Sequence, residues 1–176
     1  MSFSAPRRLP WLLAVSALVF AADRMTKTWV AAHIHMGGVI PIIPHVLGIT
    51  HWTNDGAAFS LFADSGSPHT VRLALIAFTI LAALVVLGAL VRLGSRINLT
   101  TIALALVLGG ALGNLHDRIV YGSVVDFIDV HIFTYAYPDF NLADSCIVIG
   151  ACLLLLDSML PRRHDGPASE PPGKAE

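Results

Sequence analysis

Four stretches of the chain stay apolar for about 20 residues each, long enough to cross the hydrocarbon core of a bilayer as helices. They run 11–32, 71–91, 97–116 and 140–160. The second, LALIAFTILAALVVLGALV, carries no charge, and the third, INLTTIALALVLGGALGNL, stops against Asp117 and Arg118. The first holds Asp23, Arg24 and Lys27 in its last third, and the fourth has Asn141 and Asp144 at its start. Between the first two lies VIPIIPHVLGITHWTNDGAAFSLF, where β-branched and aromatic residues are broken by Pro41, Pro44 and Gly48. That pattern predicts short strands, hence a small sheet on the membrane surface. The expected fold is an all-α membrane protein with four transmembrane helices and a small external β-sheet segment between helices 1 and 2. It forms one domain over 1–160, followed by a disordered cytoplasmic tail over 161–176, where Pro, Gly and charge dominate.

Composition agrees with a membrane protein: 55% of the 176 residues are hydrophobic and 13% charged, too apolar for an ordinary soluble domain. A net charge of −1 excludes a strongly basic nucleic-acid surface. Cys146 and Cys152 sit on one predicted helix, roughly 9 Å apart by helical rise, beyond disulfide reach. No CxxC, Cys/His zinc spacing, His-Glu-x-x-His helix or Gly-x-Ser-x-Gly elbow occurs.

The cations set an orientation. Arg7 and Arg8, Arg92 and Arg96, and Arg162, Arg163 and Lys174 fall on one side, whereas 33–70 and 118–139 are poor in Lys and Arg. The positive-inside rule therefore places both termini in the cytoplasm. A cleavable signal peptide at the N-terminus fits the outline of Arg7, Arg8 and the 11–20 run, but its removal would spoil the agreement of the three clusters. Arg24 and Lys27 lie on the outer half, against the rule.

With the helices so oriented, Asp23, Arg24, Lys27, Asn114, Asp117, Arg118, Asn141 and Asp144 share one interface. The segment VVDFIDV, 124–130, returns to it with Asp126 and Asp129. Asp157 lies about 20 Å from Asp144 along helix 4 and belongs to the other side. Each polar group alone has a structural explanation: Asp144 as a helix N-terminal charge, Asp117 with Arg118 as an ion pair, Asp23 with Lys27 as an i,i+4 pair. Gathered near hydrocarbon, with Asn54 from the external segment, they point to a functional site. Two carboxyl groups sharing a proton can activate water and polarise a carbonyl, the chemistry of aspartic peptide hydrolysis. His33, His35, His116 and His131 read as interfacial residues.

The motifs TNDGAAFS (53–60), GGALGNLHDRIVYGSVVDF (109–127) and FNLADS (140–145), with Asp23 and Lys27 in helix 1, resemble the lipoprotein signal peptidases, the type II signal peptidases of bacteria. The resemblance covers roughly 10–160 and implies that Asp126 and Asp144 form the catalytic dyad. It assigns Asn54, Asn114, Arg118 and Asn141 to substrate binding or support of the dyad, with Asp117, Gly56, Asp23 and Lys27 in supporting positions. The implied reaction removes the signal peptide from a prolipoprotein just before a diacylglyceryl-modified cysteine, one carboxylate acting as base on water while its protonated partner donates to the carbonyl. It implies no metal or organic cofactor, no nucleic-acid partner, contact with membrane lipid, a monomer, and residence in the bacterial inner membrane with the site near the outer face. His116 departs from the commonest pattern, and Asp129 adds an acid three residues after Asp126. The alternative from another class is a small proton-coupled transporter or channel subunit, which predicts polar groups strung across the membrane instead of gathered at one interface.

Overall fold

The computed structural model describes residues 7–56 and 68–160, so the tail expected over 161–176 lies outside the described residues. Helix α1 spans Leu9–His33, with Pro10 in its first turn, where a missing N–H leaves no intrahelical bond unmade. Strands β1 (Val39–Ile43) and β2 (Leu47–Asn54) follow, then α2 (Pro68–Leu93) and α3 (Leu99–Val120). Strands β3 (Val124–Ile132) and β4 (Tyr135–Phe140) lead into α4 (Leu142–Met159). All four helices have the length and hydropathy of membrane spans. Side chains on their outward faces, such as Leu18, Phe78, Leu84 and Leu155, are apolar and exposed, as lipid contact requires.

Helix α3 is central and packs against α1, α2 and α4. Leu12, Leu90, Leu104, Ala105 and Leu108 form its apolar contacts with α1 and α2. Ser16 on α1 donates to the Ala105 carbonyl at 2.8 Å, a buried interhelical bond of the kind that joins helices in lipid. Toward α4 the surface is lined with small residues. A Cβ on Gly113 would stand 2.5 Å from Asp23 Oδ2, so only glycine lets α1, α3 and α4 meet there.

The four strands make one antiparallel sheet in the order β1-β2-β3-β4. The sheet is therefore larger than the sequence predicts: its second half comes from 124–140, where the sequence reads as an apolar return segment. Its register shifts three times: Ile42 is extra between the pairs Pro41–Gly48 and Ile43–Leu47, and two further bulges lie nearer the site. Thr50 and His51 together oppose Phe127, because Ile49 pairs with Ile128 and Trp52 with Asp126. Pro138 and Asp139 together oppose Asp129, which spares the ladder the N–H that Pro138 lacks. Phe127 packs with Val30 and Ile34, fixing the sheet to the end of α1. Asp126, its neighbour in β3, is thereby held at the end of the bundle. Helix α3 runs to Val120, one turn beyond the predicted stop, so Asp117 and Arg118 are helical residues.

Candidate active site

Helix α4 begins with a reciprocal cap. Asn141 is its N-cap; its Oδ1 accepts the Asp144 N–H at 3.0 Å, and Asp144 Oδ2 accepts the Asn141 N–H at 3.3 Å. The macrodipole favours a carboxylate at that third position, so Asp144 is both a capping charge and a site residue. Asn141 Nδ2 donates to Asp126 Oδ1 at 2.7 Å, and Asn54 Nδ2 donates to Asp126 Oδ2 at 3.1 Å. Asn114 Nδ2 donates to Asp144 Oδ1 at 2.7 Å. Three asparagines thus hold the two acids from elements far apart in sequence.

Both acids line a cavity of about 260 Å³ with Asn54, Asn114 and Arg118 on its polar side, and Phe140, Ile147 and Val148 on its apolar side. Asp126 is 4% exposed. Burial, and then the neighbouring charge of Asp144, raise its carboxyl from 3.8 to about 6, against the hydrogen bonds from Asn54 and Asn141 that favour the ionised form. Asp139, on β4, lines the same cavity and accepts from Thr50 Oγ1 at 2.6 Å; burial pushes its carboxyl up as well.

Arg118 enters from α3. Its Nη2 donates to the Gly56 carbonyl at 3.0 Å, and Gly56 N–H in turn donates to Asn54 Oδ1 at 2.9 Å. The Nε of Arg118 is buried without a hydrogen-bond partner among the described residues. Arg72 of α2 donates to the Arg118 carbonyl at 2.8 Å and the Ile119 carbonyl at 3.1 Å, closing the C-terminal end of α3 with a cation.

Behind this cavity lies an ion cluster in which Asp23, Lys27 and Asp117 are buried and Arg24 is partly exposed. Lys27 is 1% exposed, with Nζ 2.9 Å from Asp23 Oδ2 and 2.8 Å from Asp117 Oδ2. These contacts are ionic and not aligned as hydrogen bonds. Arg24 pairs with Asp117 and lies over the Tyr121 ring. Asp23 Oδ1 accepts the Ala143 N–H at 3.0 Å, tying α1 to the first turn of α4. Asp117 therefore pairs with α1 and not with Arg118. Adjacent helical residues point about 100° apart, so one faces the cluster and the other the cavity.

The remaining sequence candidates lie elsewhere. Asp129 meets His131 Nε2 at 2.9 Å and lines a separate cavity with Gly48 and Phe133. His116 stacks edge-on with Phe20 and Tyr121. Both cysteines are free. Among the described residues, no three His, Cys, Asp or Glu side chains are grouped to hold a metal. Asp139, Thr50 and Arg72 went unnoticed in the sequence. Only Arg72, a cation at the start of an apolar span, left a signal there.

Two acids meeting at one end of a four-helix membrane bundle place the protein among membrane-embedded hydrolases of the aspartic type. The family model for signal peptidase (SPase) II matches residues 15–160, so the chain belongs to the signal peptidase II family of aspartic peptidases. It is 47% identical over 163 residues to a lipoprotein signal peptidase of Pseudomonas aeruginosa, covering 92% of this chain and 94% of that one. It is 48% identical to that of Ectopseudomonas mendocina, covering 85% and 87%, and 40% identical to that of Yersinia enterocolitica, covering 86% and 88%. A bacterial membrane enzyme structure obtained by the in meso method at 1.9 Å superposes with a TM-score of 0.76 at 30% identity, covering 90% of this chain and 98% of that one. A second, at 2.3 Å, gives 0.70 at 30% identity, covering 93% and 99%.

Proposed function

We propose that the chain removes the signal peptide of bacterial prolipoproteins by hydrolysing the bond before a diacylglyceryl-modified cysteine, with Asp126 and Asp144 as the catalytic pair. The observation that carries this reading is the convergence of these two carboxylates, one from a strand and one from the first turn of a helix, on a single cavity. Asp126, whose carboxyl holds its proton to about pH 6, is the acid, and Asp144 is the base. Water attacks the scissile carbonyl as Asp144 takes one of its protons and Asp126 gives its own to the carbonyl oxygen. When the carbon–nitrogen bond breaks, the proton on Asp144 passes to the leaving amine and a hydroxyl proton returns to Asp126. Arg118, which lines the same cavity, supplies a fixed positive charge to the peptide, and the asparagines hold both acids in register.

The apolar wall of Ile147 and Val148 suits a substrate whose acyl chains stay in the leaflet. The protein works as a monomer in the inner membrane, with both termini cytoplasmic and the site at the outer face; the arginine clusters support that orientation. Among the described residues no run of titratable groups crosses the bundle: Asp157 at the other end of α4 is bonded to Thr100, and the helix contacts between are mostly apolar.

Incubation of the detergent-purified protein with a diacylglyceryl-modified prolipoprotein tests the proposal. Release of the signal peptide is expected from the modified substrate only. Equal cleavage of the unmodified form would remove the lipid from the reading, and no cleavage of either would remove the activity.

A further inference from the structure

We infer that Lys27 is a positioning residue for the reaction: its ammonium sets which end of the Asn114 side-chain amide faces Asp144. This rests on Asp144 belonging to the catalytic pair.

An asparagine amide presents an acceptor at one end and two donors at the other, and a half-turn exchanges them. Lysine has donors only. Lys27 Nζ lies 2.9 Å from Asn114 Oδ1, so the oxygen must face α1. The Nδ2 end is then directed across α3 to Asp144 Oδ1 at 2.7 Å. Turned the other way, the amide would set its NH₂ against an ammonium and its oxygen against a carboxylate, two repulsive contacts in place of two attractive ones. The same oxygen also receives Asn141 Nδ2 at 3.3 Å, and that nitrogen holds Asp126. One buried cation thereby fixes the hydrogen-bond direction toward both acids.

Lys27 is itself unable to wander. Asp23 and Asp117 bracket it, both with no exposed surface, and Arg24 balances the second acid, so two anions face two cations. Such a network is a poor way to join helices, because replacing buried ion pairs with apolar packing is often neutral or stabilising. The inner parts of α1 and α3 join through apolar side chains and the Ser16 hydrogen bond without it. Its place one layer behind the cavity, and on the side of the membrane where the positive-inside rule disfavours lysine, fits a charge kept for what it orients.

The test measures kcat and KM for signal-peptide release from a diacylglyceryl-modified prolipoprotein, with the full-length protein in detergent. Removing Lys27 alone strands two buried acids, so the variant is charge-balanced: Asp23→Asn/Lys27→Met, in which Asn keeps an acceptor for Ala143. Asp23→Asn/Lys27→Leu, which likewise keeps the Arg24–Asp117 pair, replaces it if the first does not give a monodisperse protein. Expected is a fall in kcat of about a hundredfold with KM nearly unchanged, the signature of misplaced reacting groups. Asn114→Ala is expected to give a similar loss, and combining it with the charge-balanced pair to add nothing further, because a single amide carries both effects. Parental kcat in the folded charge-balanced variant, or losses that multiply in the combination, would overturn the inference. Asp144→Asn runs alongside: turnover there overturns the catalytic pair itself, whereas a dead Asp144→Asn beside an active charge-balanced variant overturns only the role of Lys27.

Discussion

Asn141 holds Asp126 at 2.7 Å through the same side chain whose oxygen caps α4 at 3.0 Å. The acid on the sheet is therefore registered to the helix that carries the other acid. Separating the two jobs gives a prediction. Asn141→Ser keeps a good helix cap but is too short to reach Asp126. Expected is a melting temperature close to the parent and a fall in kcat of about tenfold or more. Asn141→Ala loses the cap as well and is expected to lower stability by about 1 kcal/mol in addition. Unchanged kcat in Asn141→Ser would show that Asp126 needs no such hold.

Asp126→Asn and Asp144→Asn are each expected to abolish turnover while the protein still inserts and purifies as a monodisperse species, because an amide keeps the shape but cannot exchange the proton. Asp129→Asn is expected to be mild, since Asp129 pairs with His131 beside another cavity. Signal-peptide release by each variant decides; activity in Asp126→Asn beside a dead Asp129→Asn would exchange their roles.

A pH–rate profile tests the acid. Asp126 is raised from 3.8 to about 6, so it keeps its proton at lower pH and loses it as pH rises through that value. The kcat/KM of the free enzyme is expected to fall on the alkaline side with a midpoint near 6. The same sign applies to folding: the contribution of this proton is fully present below 3.8 and is lost as pH rises through about 6. Asn54→Ala removes a hydrogen bond that favours the ionised form and is expected to move the alkaline limb upward. A limb that moves down, or does not move, contradicts the assignment.

Gly113→Ala would press a methyl group onto Asp23, whose oxygens already hold Ala143 and Lys27. A loss of about 1–3 kcal/mol is expected from such overpacking, with reduced activity as α4 is displaced. Gly88→Ala, where no atom outside its own helical turn lies within 4 Å of the added carbon among the described residues, is the control. It is expected to be neutral or stabilising by up to about 1 kcal/mol from helix propensity. Thermal unfolding in detergent compares them.

Topology is tested by impermeant thiol labelling of intact cells in a background lacking Cys146 and Cys152. His45→Cys, at the β1–β2 turn, is expected to react from outside, and Ser95→Cys, between α2 and α3, only after the membrane is opened. The reverse pattern would invert the orientation.

The spans were legible because twenty apolar residues leave few alternatives to a helix. Strands β1 and β2 were legible from their β-branched residues. Strands β3 and β4 were not: VVDFIDV lacks alternation, and Pro138 argues against a strand until the bulge that accommodates it is seen. Asp23 and Lys27 could be read as an i,i+4 pair. Their union with Asp117, Arg24 and Asn114 requires α1 and α3 to be side by side, which no spacing reveals. Asp126 and Asp144 were picked out by motif resemblance, since only the β3–β4 hairpin brings them together. Asp139 stayed invisible because its surroundings depend on Thr50, with three elements between them in the chain.

The position of α4 in the chain also sets an order of events during synthesis. Asp144, the cap that holds Asp126 and the N–H that Asp23 accepts are all supplied by the last span. On the proposed pairing of Asp126 with Asp144, a chain with only α1, α2 and α3 inserted has one acid without its partner. The hydrolytic centre proposed for this chain therefore assembles only when α4 inserts beside α1 and α3.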